Sequence, residues 1–131
     1  MRRLLASAFL LAAVACSDNA TAPTVSLAGN YSLMMVNGQS VPYQFSTNQG
    51  VLLRLNSSVL TLNSDGTYTE VSQWTSSQSG NYSLTELGTY SNTNGSITFY
   101  DQTDNVVYQG SLSGAVLTEI SGGLTQVYQK Q

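Results

Sequence analysis

The sequence predicts an all-β chain, an antiparallel up-and-down meander that closes into a barrel of about eight to ten strands, with a two-sheet sandwich as the alternative. Three observations lead there. From Leu27 onward no stretch repeats its apolar residues at helical spacing, while short alternating runs recur. Those runs are rich in Tyr, Thr and Val, which fit a pleated, half-buried surface. Between them stand turn residues, Asp-Gly and Asn-Gly pairs among them, that tolerate positive φ. Short connections make neighbours in sequence pair antiparallel, and the absence of a long crossover favours the barrel over the sandwich.

Strands are expected at 31–36, 41–45, 51–56, 59–63, 67–74, 82–86, 96–100, 106–112, 116–120 and 124–129. The first two alternate around Tyr31 and Leu33, then Val41, Tyr43 and Phe45. In the third, Val51, Leu53 and Leu55 share a buried face, which turns Arg54 outward; the other reading pairs this mid-chain cation with an anionic ligand inside. Leu60 and Leu62 share a face in the fourth. "NSDG" (Asn63 to Gly66) turns the chain into the run from Thr67 to Trp74. The next run, Tyr82 to Glu86, is followed by "TNG" (Thr93 to Gly95) and by Ile97 and Phe99 on one face. "TDN", "SGA" and "SGG" each precede one of the last three runs, in the first of which Tyr108 and Leu112 share a face with Gly110 between them. Longer connections are expected at 46–50 and 75–81. "GNYSL" and "GTY" each occur twice, but at irregular spacing, which reads as reused hairpin chemistry and not as a solenoid.

Composition limits the function. Charged residues are 8% of the chain and hydrophobic ones 41%, enough apolar material for a folded core. Two of the four basic residues, Arg2 and Arg3, fall in the N-terminal leader described next; without it Arg54 and Lys130 face seven acidic residues. Two dispersed cations do not neutralise a phosphate backbone, so nucleic-acid binding is not expected. Histidine is absent, which removes the commonest general base and metal ligand.

Residues 1–15 read as an export signal: Arg2 and Arg3, then an apolar run from Leu4 to Val14 too short to span a bilayer. Residues 16–26, small and polar after the cysteine, read as a flexible tether, and 27–131 as the barrel domain. Cys16 is the chain's single cysteine, so it has no disulfide partner; no ligands cluster near it, and without histidine a catalytic thiol lacks its usual base. "AVAC" (Ala13 to Cys16) resembles the lipobox of bacterial lipoproteins. That resemblance implies cleavage before Cys16, acylation of its thiol and amine, anchoring to a membrane of the bacterial cell envelope, and a lipid bilayer as partner. Several acyl chains hold firmly, each buried methylene adding about 0.8 kcal/mol.

"LAGNYSLMMVNGQSVPY", "SSVLTLNSDGTYTE" and the closing "GSLSGAVLTEISGGLTQVYQK" together resemble small bacterial lipocalin-like domain proteins over nearly all of 27–130. Gly29-Asn30-Tyr31 stands where that family has Gly-x-Trp. The resemblance implies that Tyr31 closes one barrel end beneath a basic residue of the final strand, here Lys130, stacked as a cation over the ring. It also implies a cup for a small apolar or amphipathic ligand. Trp74, Tyr68, Tyr108 and Glu119 are the candidate ligand contacts. Trp74 suits a barrel mouth or ordinary rim packing. Alternation with Leu117 would turn Glu119 inward, but Val116, Thr118 and Ile120 form the more apolar face, which favours Glu119 in solvent. Asp101 and Asp104 flank a turn whose spacing matches no calcium loop, so they are expected to form the turn. No motif pairs a nucleophile with a base or cradles a phosphate; neither catalysis nor a cofactor or metal is expected, and an enzyme using converging carboxylates and tyrosines is the weakest alternative. A structural or interaction lipoprotein is the rival to the binding cup. An interior plugged by Tyr31, Tyr68, Phe99 and Tyr108 would sink the binding cup in favour of that rival.

Overall fold

A computed structural model describes residues 26–131. The expected leader, Cys16 and the tether as far as residue 25 lie outside the described residues. The strands are β1 (Gly29–Val36), β2 (Gln39–Ser40), β3 (Tyr43–Ser46), β4 (Leu52–Leu62), β5 (Thr67–Ser76), β6 (Gly80–Thr93), β7 (Ser96–Asp101), β8 (Val106–Ser113), β9 (Val116–Ser121) and β10 (Leu124–Lys130). All neighbouring strands pair antiparallel, and β4 through β10 follow one another in sequence order. β1 pairs with β10 on one side and with β4 on the other, which closes an eight-stranded barrel and excludes the sandwich. β2 and β3 continue the sheet beside the seam where β1 and β4 diverge.

Three expectations change in detail. The runs 51–56 and 59–63 are one strand, β4, bent by an irregularity between Leu55 and Ser57. Ser57-Ser58, expected to fall between two strands, lie within it: Ser58 is buried and its hydroxyl donates to Glu70. The expected 41–45 run begins only at Tyr43, as β3, because Pro42 has no N–H to give a ladder, and a short β2 not expected from the sequence precedes Val41-Pro42. β6 runs on to Thr93, well past the expected end at Glu86, because Gly88 sits inside the strand and not in a turn.

The two barrel ends differ. One end carries the turns after β4, β6 and β8 and both chain ends of the domain. Its turns are tied in a ring: the Gly66 carbonyl accepts from Tyr90 N–H, Gly95 from Leu112, Ala115 from Lys130 and Asn30 from Gln131. This closed end is packed with Tyr31, Leu33, Leu60, Leu62, Ile97, Phe99 and Leu117, all essentially inaccessible. The mouth at the other end carries β2–β3 and the turns after β5, β7 and β9.

Two interior glycines let aromatic rings approach the wall. A Cβ on Gly88 would lie 2.4 Å from Tyr68 Cε1 and 2.2 Å from the Tyr100 carbonyl oxygen. A Cβ on Gly110 would lie 3.0 Å from Phe99 Cε2. Tyr68 meets Phe99 edge to face at 5.5 Å, and Phe99 stacks on Tyr108 at 5.0 Å. Rings lying over strand glycines fill the space those glycines leave and let the sheet coil tightly.

Candidate functional site

Alternation along the strands builds the site in layers. On β5, Tyr68 is followed on the same face by Glu70, and on β7 Phe99 is followed by Asp101. On β9, Leu117 is followed by Glu119. β6 runs the other way and sets Glu86 directly opposite Glu70. One step toward the mouth from the apolar plug, the barrel is therefore lined by Glu70, Glu86, Asp101 and Glu119. Glu70, Asp101 and Glu119 are 7%, 3% and 2% exposed, and Glu86 is half-buried.

Glu119 corrects the sequence expectation: it faces inward, while Val116 and Ile120 lie on the outer wall, Ile120 57% exposed. The register decides this, not local hydrophobicity. Leu117 opposes the fully buried Tyr128, so every second residue of β9 shares that face, and Glu119 follows.

The carboxylates are held by hydroxyl and amide groups. Tyr128 O–H donates to Glu70 Oε1 at 2.7 Å, and Ser58 O–H donates to the same atom. Gln126 Nε2 lies 3.4 Å from Glu119 Oε1, and its Oε1 is 3.3 Å from the Tyr128 hydroxyl. Tyr108 O–H donates to the Tyr68 hydroxyl oxygen at 3.0 Å. Glu119 Oε2 is buried and has no hydrogen-bond partner among the described residues. Asp101 Oδ1 accepts the N–H groups of Thr103 and Asp104, so it caps the expected turn. It also faces inward, and carboxylate oxygens of Glu86, Asp101 and Asp104 lie within 4.8 Å of one another.

No cation among the described residues offsets this charge. Arg54 is exposed, as expected, and donates to Asn56; Lys130 is at the closed end. Burial, followed by the charges of Glu70, Glu86 and Asp101, pushes the Glu119 carboxyl well above its ordinary range. Burial also raises Glu70, against hydrogen bonds from Ser58 and Tyr128 that favour its charged form. Burial and then the neighbouring Glu70, Asp101 and Asp104 push Glu86 up to about 7. Burial and the nearby acids likewise raise the Tyr128 and Tyr108 hydroxyls.

Above the acids the wall becomes aromatic. Trp74 is half-buried between Phe45, 5.6 Å away, and Tyr82, stacked at 6.4 Å. Tyr43 meets Phe45 edge to face at 4.8 Å. Leu84 opposes Ser72, which opposes the buried Ser58, so Leu84 lies on the inner face; at 45% exposed it marks where the interior opens to water.

Of the candidate residues, Tyr68, Tyr108 and Glu119 come together with Glu70, Glu86, Asp101 and Tyr128. Trp74 stands apart, on the mouth wall. Tyr31 is buried at the far end, with Lys130 Nζ 5.6 Å over its ring, its hydroxyl bonded to the Leu27 carbonyl, and the ammonium bonded to the Ser26 carbonyl. Tyr31, Tyr68, Phe99 and Tyr108 fill the closed half, so an apolar cup does not extend to that end. Sequence reasoning named neither Glu70 nor Glu86 and read Asp101 only as a turn residue. The available signal was the repeated step from a buried apolar residue to an acid two positions on, at Tyr68–Glu70, Phe99–Asp101 and Leu117–Glu119.

Fold and site together define an eight-stranded antiparallel barrel with an aromatic plug, an acidic middle and an aromatic mouth. No protein-family model matches the chain, and no curated protein or solved structure matches it either.

Proposed function

We propose that the chain is an exported envelope lipoprotein, held to the membrane by acyl chains on Cys16, whose lipocalin-like barrel binds a small amphipathic ligand at its mouth. It works as a binding module and not as an enzyme. The observation that carries the ligand reading is the half-buried Tyr43–Phe45–Trp74–Tyr82 wall standing above buried carboxylates. Binding sites pair such apolar walls with a few placed polar groups. Native mass spectrometry of the purified protein is expected to find a copurifying small molecule, or a mass shift with a panel of small amphiphiles. Neither appearing would contradict the ligand reading. Cys16→Ser is expected to move the protein from the membrane fraction to the soluble fraction, and unchanged partition would refute the anchor.

A second reading, an interaction lipoprotein, is favoured by the plug of Tyr31, Tyr68, Phe99 and Tyr108 in the closed half and by the outer wall. Where β8 and β9 part near the mouth, the outward-facing Val107 and Ile120 border a cleft of about 650 Å³. Val107 is 62% exposed there. Val107→Ser with Ile120→Ser separates the readings: loss of a copurifying envelope protein, with mouth binding intact, would support this one.

A further inference from the structure

We propose that the acidic middle of the barrel binds an organic ammonium ion whose apolar body lies against the aromatic mouth; this rests on the mouth-binding reading and names the chemistry of its ligand. Glu70, Glu86, Asp101 and Glu119 converge from β5, β6, β7 and β9, and neither Arg54 nor Lys130 reaches them. Glu70 and Glu86 are directly cross-strand, an arrangement of like charges that disfavours the empty barrel. Glu119 stands opposite Gly110, over which the Phe99 ring lies as the floor of the acidic layer.

The second observation is Glu119 Oε2 itself. Buried polar atoms are as a rule hydrogen-bonded. This one is buried among the inward-facing acids and has no partner among the described residues, whether its carboxyl is ionised or protonated. An ammonium has only donors and a carboxylate only acceptors, so the one completes the other. On the mouth side of the acids stand Leu84, Tyr82 and Trp74, surfaces that suit a carbon skeleton, the two rings attracting a cation to their faces. A bare metal ion has no carbon skeleton to bury against that wall. Calcium also requires about six to eight converging oxygens, whereas Tyr128 and Gln126 stand between Glu70 and Glu119.

Trp74 is the chain's single tryptophan, so its fluorescence reports the mouth alone. The purified full chain is titrated with phenethylamine, phenethyl alcohol, phenylacetate and calcium chloride, with thermal melting in parallel. Expected is a saturable Trp74 response to the amine alone. Glu119→Gln and Glu70→Gln should each weaken it roughly tenfold or more, the loss of one charge-assisted hydrogen bond. Glu119→Gln should melt no lower than the parent at pH 7.5, which separates lost binding from lost folding. Equal binding of the alcohol and the amine, unchanged in Glu119→Gln, would overturn the ammonium inference and leave a ligand-binding mouth. Stabilisation by calcium without an amine response would overturn it in favour of a metal site at Glu86, Asp101 and Asp104. No response to any probe would overturn it too, while the copurification result judges the mouth separately.

Discussion

Gly88→Ala is expected to lower the melting temperature by about 10–20 °C, the largest stability loss of any single methyl added to the barrel. The new Cβ would stand 2.2 Å from the Tyr100 carbonyl oxygen and 2.4 Å from Tyr68 Cε1. Neither obstacle yields easily. The carbonyl belongs to β7, laddered to β6 on one side and β8 on the other. The Tyr68 ring is 1% exposed, wedged edge-on against Phe99 and hydrogen-bonded to Tyr108. Overpacking of a tight core costs typically 1–3 kcal/mol and more where backbone must shift, so about 3 kcal/mol is the scale here. Gly110→Ala, whose Cβ would meet Phe99 Cε2 and the Thr118 carbonyl at about 3 Å, should lose less. Differential scanning calorimetry of both variants tests the ordering; a Gly88→Ala protein as stable as the parent would show that Tyr68 does not lie over this glycine.

Stability is expected to be highest near pH 4–5 and to fall as the pH rises toward 8. The folded barrel holds protons on Glu119, Glu70 and Glu86 more tightly than the unfolded chain does, because burial and mutual repulsion penalise their charged forms. Below the ordinary glutamate value of 4.5 both states are protonated and the stability is fully present. Above it the unfolded chain ionises freely while the barrel resists, and stability is lost as the pH climbs through about 7, where Glu86 titrates. Glu119 extends the loss to higher pH. Asp65 works oppositely: hydrogen bonds from Thr67 lower its carboxyl, so its contribution is lost only in stronger acid. The chain has no histidine to mask the trend in the middle of this range. Melting curves between pH 4.5 and 8 check it. Glu119→Gln should flatten the decline, and a melting temperature that rises over this interval would contradict the arrangement of the interior.

Strand existence and the meander order were legible because turns announce themselves. Asn94 and Asn105 adopt positive φ, as do Gly66, Gly95, Gly114, Gly122 and Gly123, all at the expected connections. Strand continuity was less legible. A pair of serines in β4 and a glycine in β6 look like punctuation in isolation, and only their tertiary partners, Glu70 and the Tyr68 ring, keep the strands running. The face of each strand was the hardest to read. In β9 the outer wall is the more apolar side, so hydrophobicity pointed the wrong way at Glu119. Only the ladder to Tyr128 fixed it. The acidic layer follows from that parity, since its members come from four strands and no local window holds more than one of them.

The chain's glutamates are Glu70, Glu86 and Glu119, and all three line the barrel, so selective carboxyl-¹³C labelling of glutamate gives one resonance for each interior acid. A pH titration followed by NMR should show Glu119 with a midpoint well above the ordinary value of about 4.3, Glu86 near 7 and Glu70 raised. Three midpoints close to 4.3 would mean that the carboxylates face water, and that the acidic middle of the barrel does not exist.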